Sequence, residues 1–304
     1  MIDVLQLQTD LLSLGIDPGP LDGRMGSRTR GAAHTAAQRL GLTDFTGGAI
    51  PPELVAGIHT QTEARRQPPP APAGFLDVSE DAAAGWREGY RPLSQVVGVT
   101  FHQTGCPMPD VSDAEFAYYQ ANHEFSRKDT PALLRWAKHQ ISKPGEPVKS
   151  VSLKTHFGIP YSGKILQIHP LDVWGWSAQR ASRKTFSIEI GGFFEGIFGD
   201  PTTRPGGPAS WKTQTPTPAQ IEAAKNLVRW LYAYFKKLGL TLKFVFGHRQ
   251  FTNDRTPDPG DVVWRLIVLP LCAELGMTDG GEGYVEGKGQ KIPYDWNPAY
   301  SAGY

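Results

Sequence analysis

The sequence predicts an α/β protein: a mixed central β-sheet flanked by helices, preceded by a small three-helix domain. Three observations predict it. Short apolar, β-branched runs (VVGVTFH at 96–102, TFSIEI at 185–190, KFVF at 243–246) alternate with segments of helical period, the pattern of a sheet covered by helices. The first 60 residues carry helical period and turn residues but no comparable strand run. Between the two lies QTEARRQPPPAPAGF, residues 61–75, whose prolines predict an extended, semi-rigid linker.

Val4, Leu5, Gln8, Leu11 and Leu12 recur at helical spacing, so residues 3–14 read as an amphipathic helix ended by Gly15. The turn-rich string IDPGPLDGRMGS follows, with Asp22-Gly23 as a tight turn that needs a left-handed residue at Gly23. Ser27 is placed to cap a second helix with a small-residue face: Ala32, Ala33, Ala36, Ala37 and Leu40. Pro51 and Pro52 open a third helix through Leu54 and Ile58. The expected organisation is 1–60 as the helical domain, 61–75 as linker, 76–277 as the α/β domain and 278–304 as a Gly- and aromatic-rich tail.

In the α/β domain, 113–122 (DAEFAYYQAN) reads as a helix. Residues 155–159 and 164–168 flank Tyr161-Ser162-Gly163 as a hairpin. The clearest helix runs from Pro218 to Leu238: Thr217 caps it, Gln220 at N3 completes a capping box, and Gly239 ends it. The last helix spans 262–275, and the patternless stretch 200–216 is a long loop.

Composition narrows the function. The chain has 304 residues, 39% hydrophobic and 20% charged, with 31 Lys+Arg against 30 Asp+Glu. A net charge of +1 gives no footprint for nucleic acid or an anionic membrane. The longest apolar run, Val262 to Leu275, contains Arg265 and Glu274 and is too short to span a bilayer. The opening MIDVLQLQTD does not read as a secretory signal. Two cysteines, Cys106 and Cys272, do not make a disulfide framework, and Cys106 reads as a buried inert thiol rather than a ligand.

The chemistry concentrates in three residues. His102 ends one strand, His248 follows another, and Asp258 sits ten residues later between Pro257 and Pro259. Two imidazoles and a carboxylate suit Zn2+ in a catalytic site that keeps a fourth position open, and other divalent ions accept the same set. Glu189 lies within a strand; such a carboxylate serves either chemistry or a structural pair with an arginine such as Arg183.

Four separated motifs, VTFHQTG, THFGIPYSGKILQ, FSIEIGG and FGHRQ-x6-PDPG, resemble the zinc-dependent N-acetylmuramoyl-L-alanine amidases, whose fold is shared with peptidoglycan recognition proteins. The resemblance spans roughly 95–265 and implies His102, His248 and Asp258 as zinc ligands, with Glu189 and Thr256 as catalytic residues. It also implies His156 beside the site; Arg255 is placed to donate to a developing oxyanion, and Trp174 and Trp176 read equally as stacking surfaces for sugar rings or as packed aromatics. Two departures stand out: Thr155 where relatives carry a tyrosine, and Trp176-Ser177-Ala178 where relatives carry a histidine after the Trp. The string from Leu5 to Leu42 resembles the peptidoglycan-binding domain of cell-wall hydrolases, with Asp22, Gly23 and Arg24 as its candidate contact turn.

The expectation is therefore a peptidoglycan hydrolase with Zn2+ as cofactor and peptidoglycan as partner, without nucleic acid or membrane insertion, and monomeric. It is expected to be a phage or prophage endolysin, made in the host cytoplasm and released through a holin-type hole. The alternatives are a non-catalytic peptidoglycan-recognition protein and a cytosolic muropeptide-recycling amidase.

Overall fold

The N-terminal helices are α1 (Val4–Ser13), α2 (Ser27–Leu40) and α3 (Pro52–Arg66). They belong to a computed structural model that describes residues 2–14, 16–42, 45, 49–77, 79, 88–105, 154–205, 213–280 and 289–298. Leu7, Leu11 and Leu14 of this segment, spaced i, i+4, i+7, pack with Ala33, Ala36 and Ala37 of α2 and with Leu54 and Ile58 of α3. Leu5 and Leu12, expected on the buried face of α1, are about half exposed instead. Leu7 takes the inward position, which turns the helix so that those two point outward.

Gln8 is buried on that same face. Its side-chain oxygen accepts from the Gly23 backbone N–H at 2.9 Å, and its amide nitrogen lies 3.2 Å from Asp22 Oδ1 and 3.1 Å from the Arg24 carbonyl. This explains a polar residue in an apolar stripe: it holds the Asp22–Arg24 turn, where Gly23 has φ +70°. Asp3, not anticipated, caps α1 through its side chain, and Gly26 rather than Ser27 occupies the cap of α2. Helix α3 continues to Arg66, so the first six residues of the expected linker are helical. QTEARR contains good helix formers, and the prolines that stop the helix begin at Pro68.

The chain forms two compact units, 1–70 with 231–241, and 71–230 with 242–304. In the second unit the strands are β1 (Phe75–Asp77), β2 (Gly89–Tyr90), β3 (Gly98–Gln103), β4 (Phe157–Ile159), β5 (Ile165–Gln167), β6 (Val173–Trp174), β7 (Thr185–Ile190) and β8 (Phe244–Gly247). Six form a mixed sheet in the order β1-β5-β4-β7-β3-β8, in which only β4 and β5 pair antiparallel. That pair is the expected hairpin. The strands β2 and β6 form a separate antiparallel pair. Every residue of β3 and β7 is buried, as expected for central parallel strands covered on both faces. The expected mixed α/β architecture is therefore observed.

Helix α4 (Pro218–Lys237) begins with the expected capping box: Gln220 N–H donates to Thr217 Oγ1 at 3.1 Å, and Thr217 N–H to Gln220 Oε1 at 3.0 Å. Gln220 is fully buried and also donates to the carbonyls of Ile159 and Gly191, which ties the helix to the ends of β4 and β7. The last helix, α5 (261–275), is not uniform. It runs as α-helix at Asp261–Val263, widens to a π-turn at Trp264–Val268 and returns to α-helix at Leu269–Leu275. Pro270 explains the widening, because it lacks an N–H and its ring crowds the carbonyl one turn back.

The C-terminal tail is packed in the part that is described. Trp296 is fully buried against Trp264, their centroids 5.8 Å apart. The expected helix at 113–122, Cys106, and residues 206–212 of the long loop lie outside the described residues. Among the described residues, no helix is long and apolar enough to cross a membrane.

Candidate metal centre and active site

Parallel pairing in the sheet assembles the site. β3 pairs with β7 so that His102 faces Glu189 in register. It pairs with β8 on its other side up to Phe101 and Gly247, and His248 follows immediately. Three neighbouring strand ends therefore place His102, Glu189 and His248 side by side, because adjacent strands lie about 4.8 Å apart. Ligands of open α/β sheets gather at such carboxyl ends of strands.

Asp258 arrives from the following loop. Its Oδ2 lies 3.0 Å from His248 Nδ1, and the Nδ1 atoms of His248 and His102 are also 3.0 Å apart. One ligand atom from each of the three lies within 4.8 Å of the others, and all three residues are buried. His248 Nδ1 has at most one proton to offer two neighbours, so hydrogen bonding alone does not account for the cluster. His102 Nε2 is buried without a hydrogen-bond partner among the described residues. Burial, reinforced by the charges of His248, Arg255 and His156, holds the His102 pKa well below 6.5. The ring is thus neutral, the form that ligates a metal. Two imidazoles and a carboxylate fit Zn2+.

The second oxygen of Asp258 is also held. Gln103 backbone N–H donates to Asp258 Oδ1 at 2.9 Å, which leaves Oδ2 directed at the histidines. The Gln103 side chain donates to the carbonyls of Phe194 and Pro257 and accepts from the Phe194 N–H. Gln103 therefore joins the β7 exit loop to the Asp258 turn. It was missed at the sequence level. The available signal was a polar residue directly after the strand-end histidine in VTFHQTG, where only the histidine was given a role.

Glu189 is buried, and its carboxyl pKa is pushed up to about 8, mainly by burial, with the Asp258 carboxylate raising it and Arg255 opposing. Arg183, the alternative structural partner, instead lies over the Trp174 ring at 4.5 Å. The shift makes a prediction for metal-free protein. The unfolded chain ionises Glu189 from about pH 4.5, whereas the folded chain keeps it protonated to about 8. Stability from this group is intact below pH 4.5 and is lost as pH rises toward 8, by on the order of 4 kcal/mol. Urea midpoints of chelator-treated protein between pH 5 and 8 should fall more steeply for wild type than for Glu189→Gln. Parallel slopes would refute this.

The remaining candidates are placed as follows. Arg255 is exposed, and its charge acts on both His102 and Glu189. Thr256 is exposed on the same turn as Asp258, and its carbonyl accepts from Arg249 Nη1 at 2.6 Å. His156 does not face the open side. It is fully buried, Nδ1 accepts from the Ser187 N–H at 3.1 Å, and Nε2 lies 2.8 Å from the Val173 carbonyl. Both ring nitrogens are thus engaged inside the protein, away from the expected substrate contact. Trp174 is buried under Arg183, in keeping with the packed alternative, whereas Trp176 is 42% exposed. Thr155, at the departure from the usual tyrosine, is buried; Ser177, at the other, lies 2.6 Å from the Ser187 hydroxyl.

The family model described as N-acetylmuramoyl-L-alanine amidase, Amidase_2, matches residues 92–261, more than half of the chain. The chain belongs to this amidase family. The match contains His102, Glu189, His248, Thr256 and Asp258, and it leaves out the N-terminal helices and the packed tail. Among solved structures, the chain is similar to the endolysin amidase LysCS from Clostridium intestinale URNW, at 14% identity and TM-score 0.38 over 67% of this chain and 97% of that one. It is also similar to wild-type Drosophila PGRP-LB, at 20% identity and TM-score 0.36 over 69% and 95% of the two chains. A third likeness is to human PGRP-IBETAC in complex with glycosamyl muramyl pentapeptide, at 17% identity and TM-score 0.39 over 67% and 97%. No curated protein matches.

Proposed function

We propose that this amidase-family chain is a zinc-dependent peptidoglycan hydrolase that cleaves the amide between N-acetylmuramic acid and the L-alanine of the stem peptide. One observation carries the reading: His102, His248 and Asp258 converge beside a buried carboxyl on the adjacent strand, Glu189. Zinc, when bound, supplies Lewis acidity toward a carbonyl oxygen and toward water. Glu189, in the ionised form that a bound cation would favour over the protonated form of the metal-free site, would take the proton of the attacking water and return it to the departing amine of L-alanine. The C–N bond breaks, a new C–O bond leaves a carboxylate on the lactyl group, and the stem peptide leaves with a free N-terminus. Asp258 keeps its orientation through the Gln103 N–H. Arg255, and Thr256 on the same exposed turn, offer donors to the oxyanion that develops.

Release of amino groups from purified peptidoglycan tests this. Chelator-treated protein is expected to be inactive and one equivalent of zinc to restore it. Undiminished release after chelation would remove the metal from the account, and an inactive zinc-loaded chain that still binds wall would make it a recognition protein.

The helical unit supports a second part of the proposal, an anchor on the wall, which together with the amidase unit suits a bacteriolytic enzyme of phage or prophage. The Asp22–Arg24 turn is exposed and held rigid by Gln8. Backbone donation from Arg24 is the main reason why the Asp22 carboxyl stays below its usual value. Sedimentation with purified sacculi is expected to weaken about tenfold in a His248→Ala chain when Arg24→Ala is added, of the order of one charge-assisted contact. Equal binding would take the turn out of wall recognition.

A further inference from the structure

The C-terminal segment 289–298 lies outside the family match, yet it touches the loop that carries two of the proposed ligands. Gln290 N–H donates to the Arg249 carbonyl at 2.7 Å, and Arg249 Nη2 donates back to Gln290 Oε1 at 3.3 Å. The Arg249 guanidinium sits 4.8 Å from the centroid of the buried Trp296 ring. From that seat Arg249 reaches both ends of the ligand turn: Nη1 donates to the Thr256 carbonyl at 2.6 Å and its backbone N–H to the Asp258 carbonyl at 3.1 Å. Trp296 Nε1 donates to the Gly196 carbonyl, and Gly196 packs against Pro257, the residue before Asp258. Gly289 runs so close to the loop that a Cβ there would lie 1.9 Å from the Gln250 carbonyl oxygen.

We infer that this segment is a working part of the active site: it positions residues 248–258, with Arg249 and Trp296 as positioning residues for His248 and Asp258. The physical reason is the order required of ligands on a loop. A metal site needs its donors held in place before the ion binds, and partners one layer out supply that order. Among the described residues no strand pairs with 248–258, and the segment 289–298 packs there. The inference rests on the zinc amidase reading for the identity of the ion, but not for the clamp itself.

Two measurements on the full chain test it. Zinc affinity is read by competition with a chromophoric chelator. Amide exchange of residues 248–258 is read in zinc-free protein, relative to that of β7. The variants are Arg249→Met, Gln290→Ala and Trp296→Phe, the last keeping a ring but losing the N–H to Gly196. Val228→Ala, in the buried face of α4, serves as a general destabiliser. Arg249→Met is expected to weaken zinc binding about 10–100-fold, with smaller losses for the other two, and all three should speed loop exchange at least severalfold relative to β7. Val228→Ala should leave zinc affinity unchanged and shift loop and β7 exchange together. The inference is overturned if the three variants stay within twofold of wild type in both readings, or if Val228→Ala lowers zinc affinity as much as Arg249→Met. If wild type binds no zinc and frees no stem peptide, the amidase reading fails, and the exchange measurement alone decides the clamp.

Discussion

Replacing His248 with alanine is expected to abolish stem-peptide release, by roughly a thousandfold or more, while the chain stays folded. His248 stands between the other two ligands, 3.0 Å from each of their nearest atoms. Its loss leaves His102 and Asp258 alone, too few to hold a zinc ion in a catalytic geometry. Lewis acidity contributes several kcal/mol at the transition state, and each 1.4 kcal/mol is tenfold in rate. The check is paired: turnover on peptidoglycan, and zinc content after dialysis. A variant that keeps its zinc and its rate would show that the ion, if any, is held elsewhere. The fold should survive, because His248 follows β8 rather than filling the core between sheet and helices.

Glu189→Gln is expected to lower kcat by about 10²–10⁴-fold with zinc binding retained and KM little changed. The substitution preserves shape and removes only the ability to take and return a proton. Its burial between β3 and β4 keeps bulk water from taking over that role. The acidic limb of the pH–rate profile should disappear with the carboxyl, since that limb reports the base losing its proton. A fall in zinc affinity parallel to the fall in kcat would instead make Glu189 part of the metal site, and an unchanged kcat would hand the proton to another group.

Some elements could be read from the sequence because local signals and tertiary demands agree. The run TFSIEI is apolar or β-branched at most positions, and β7 occupies those six residues. The Thr217–Gln220 capping box marks the start of α4, since both partners lie within one turn. The clustering of His102, His248 and Asp258 was legible because each sits next to a strand end or between prolines, weak signals singly that the amidase-like motifs joined, and strand pairing then closes the distances.

What escaped the sequence depends on partners far along the chain. Leu5 and Leu12 share a helical stripe with Leu11, and only the packing of Leu7 against α2 and α3 decides which way the stripe turns. His156 lies in a motif that suggests chemistry, but bonds from Ser187 and to Val173 commit its ring to the interior. Gln103 joins two loops separated from it by about ninety and one hundred and fifty residues. The tail gave no periodic signal, because the Trp296 ring is held by Trp264, Arg249 and Gly196, far from it in the sequence.

The most direct test of the central claim is mass spectrometry of purified peptidoglycan digested by the zinc-loaded wild type and by His248→Ala. The account predicts free stem peptides beginning with L-alanine beside uncut glycan strands, from the wild type only. Cut glycan, cut cross-bridges, or the same peptides from His248→Ala would contradict it.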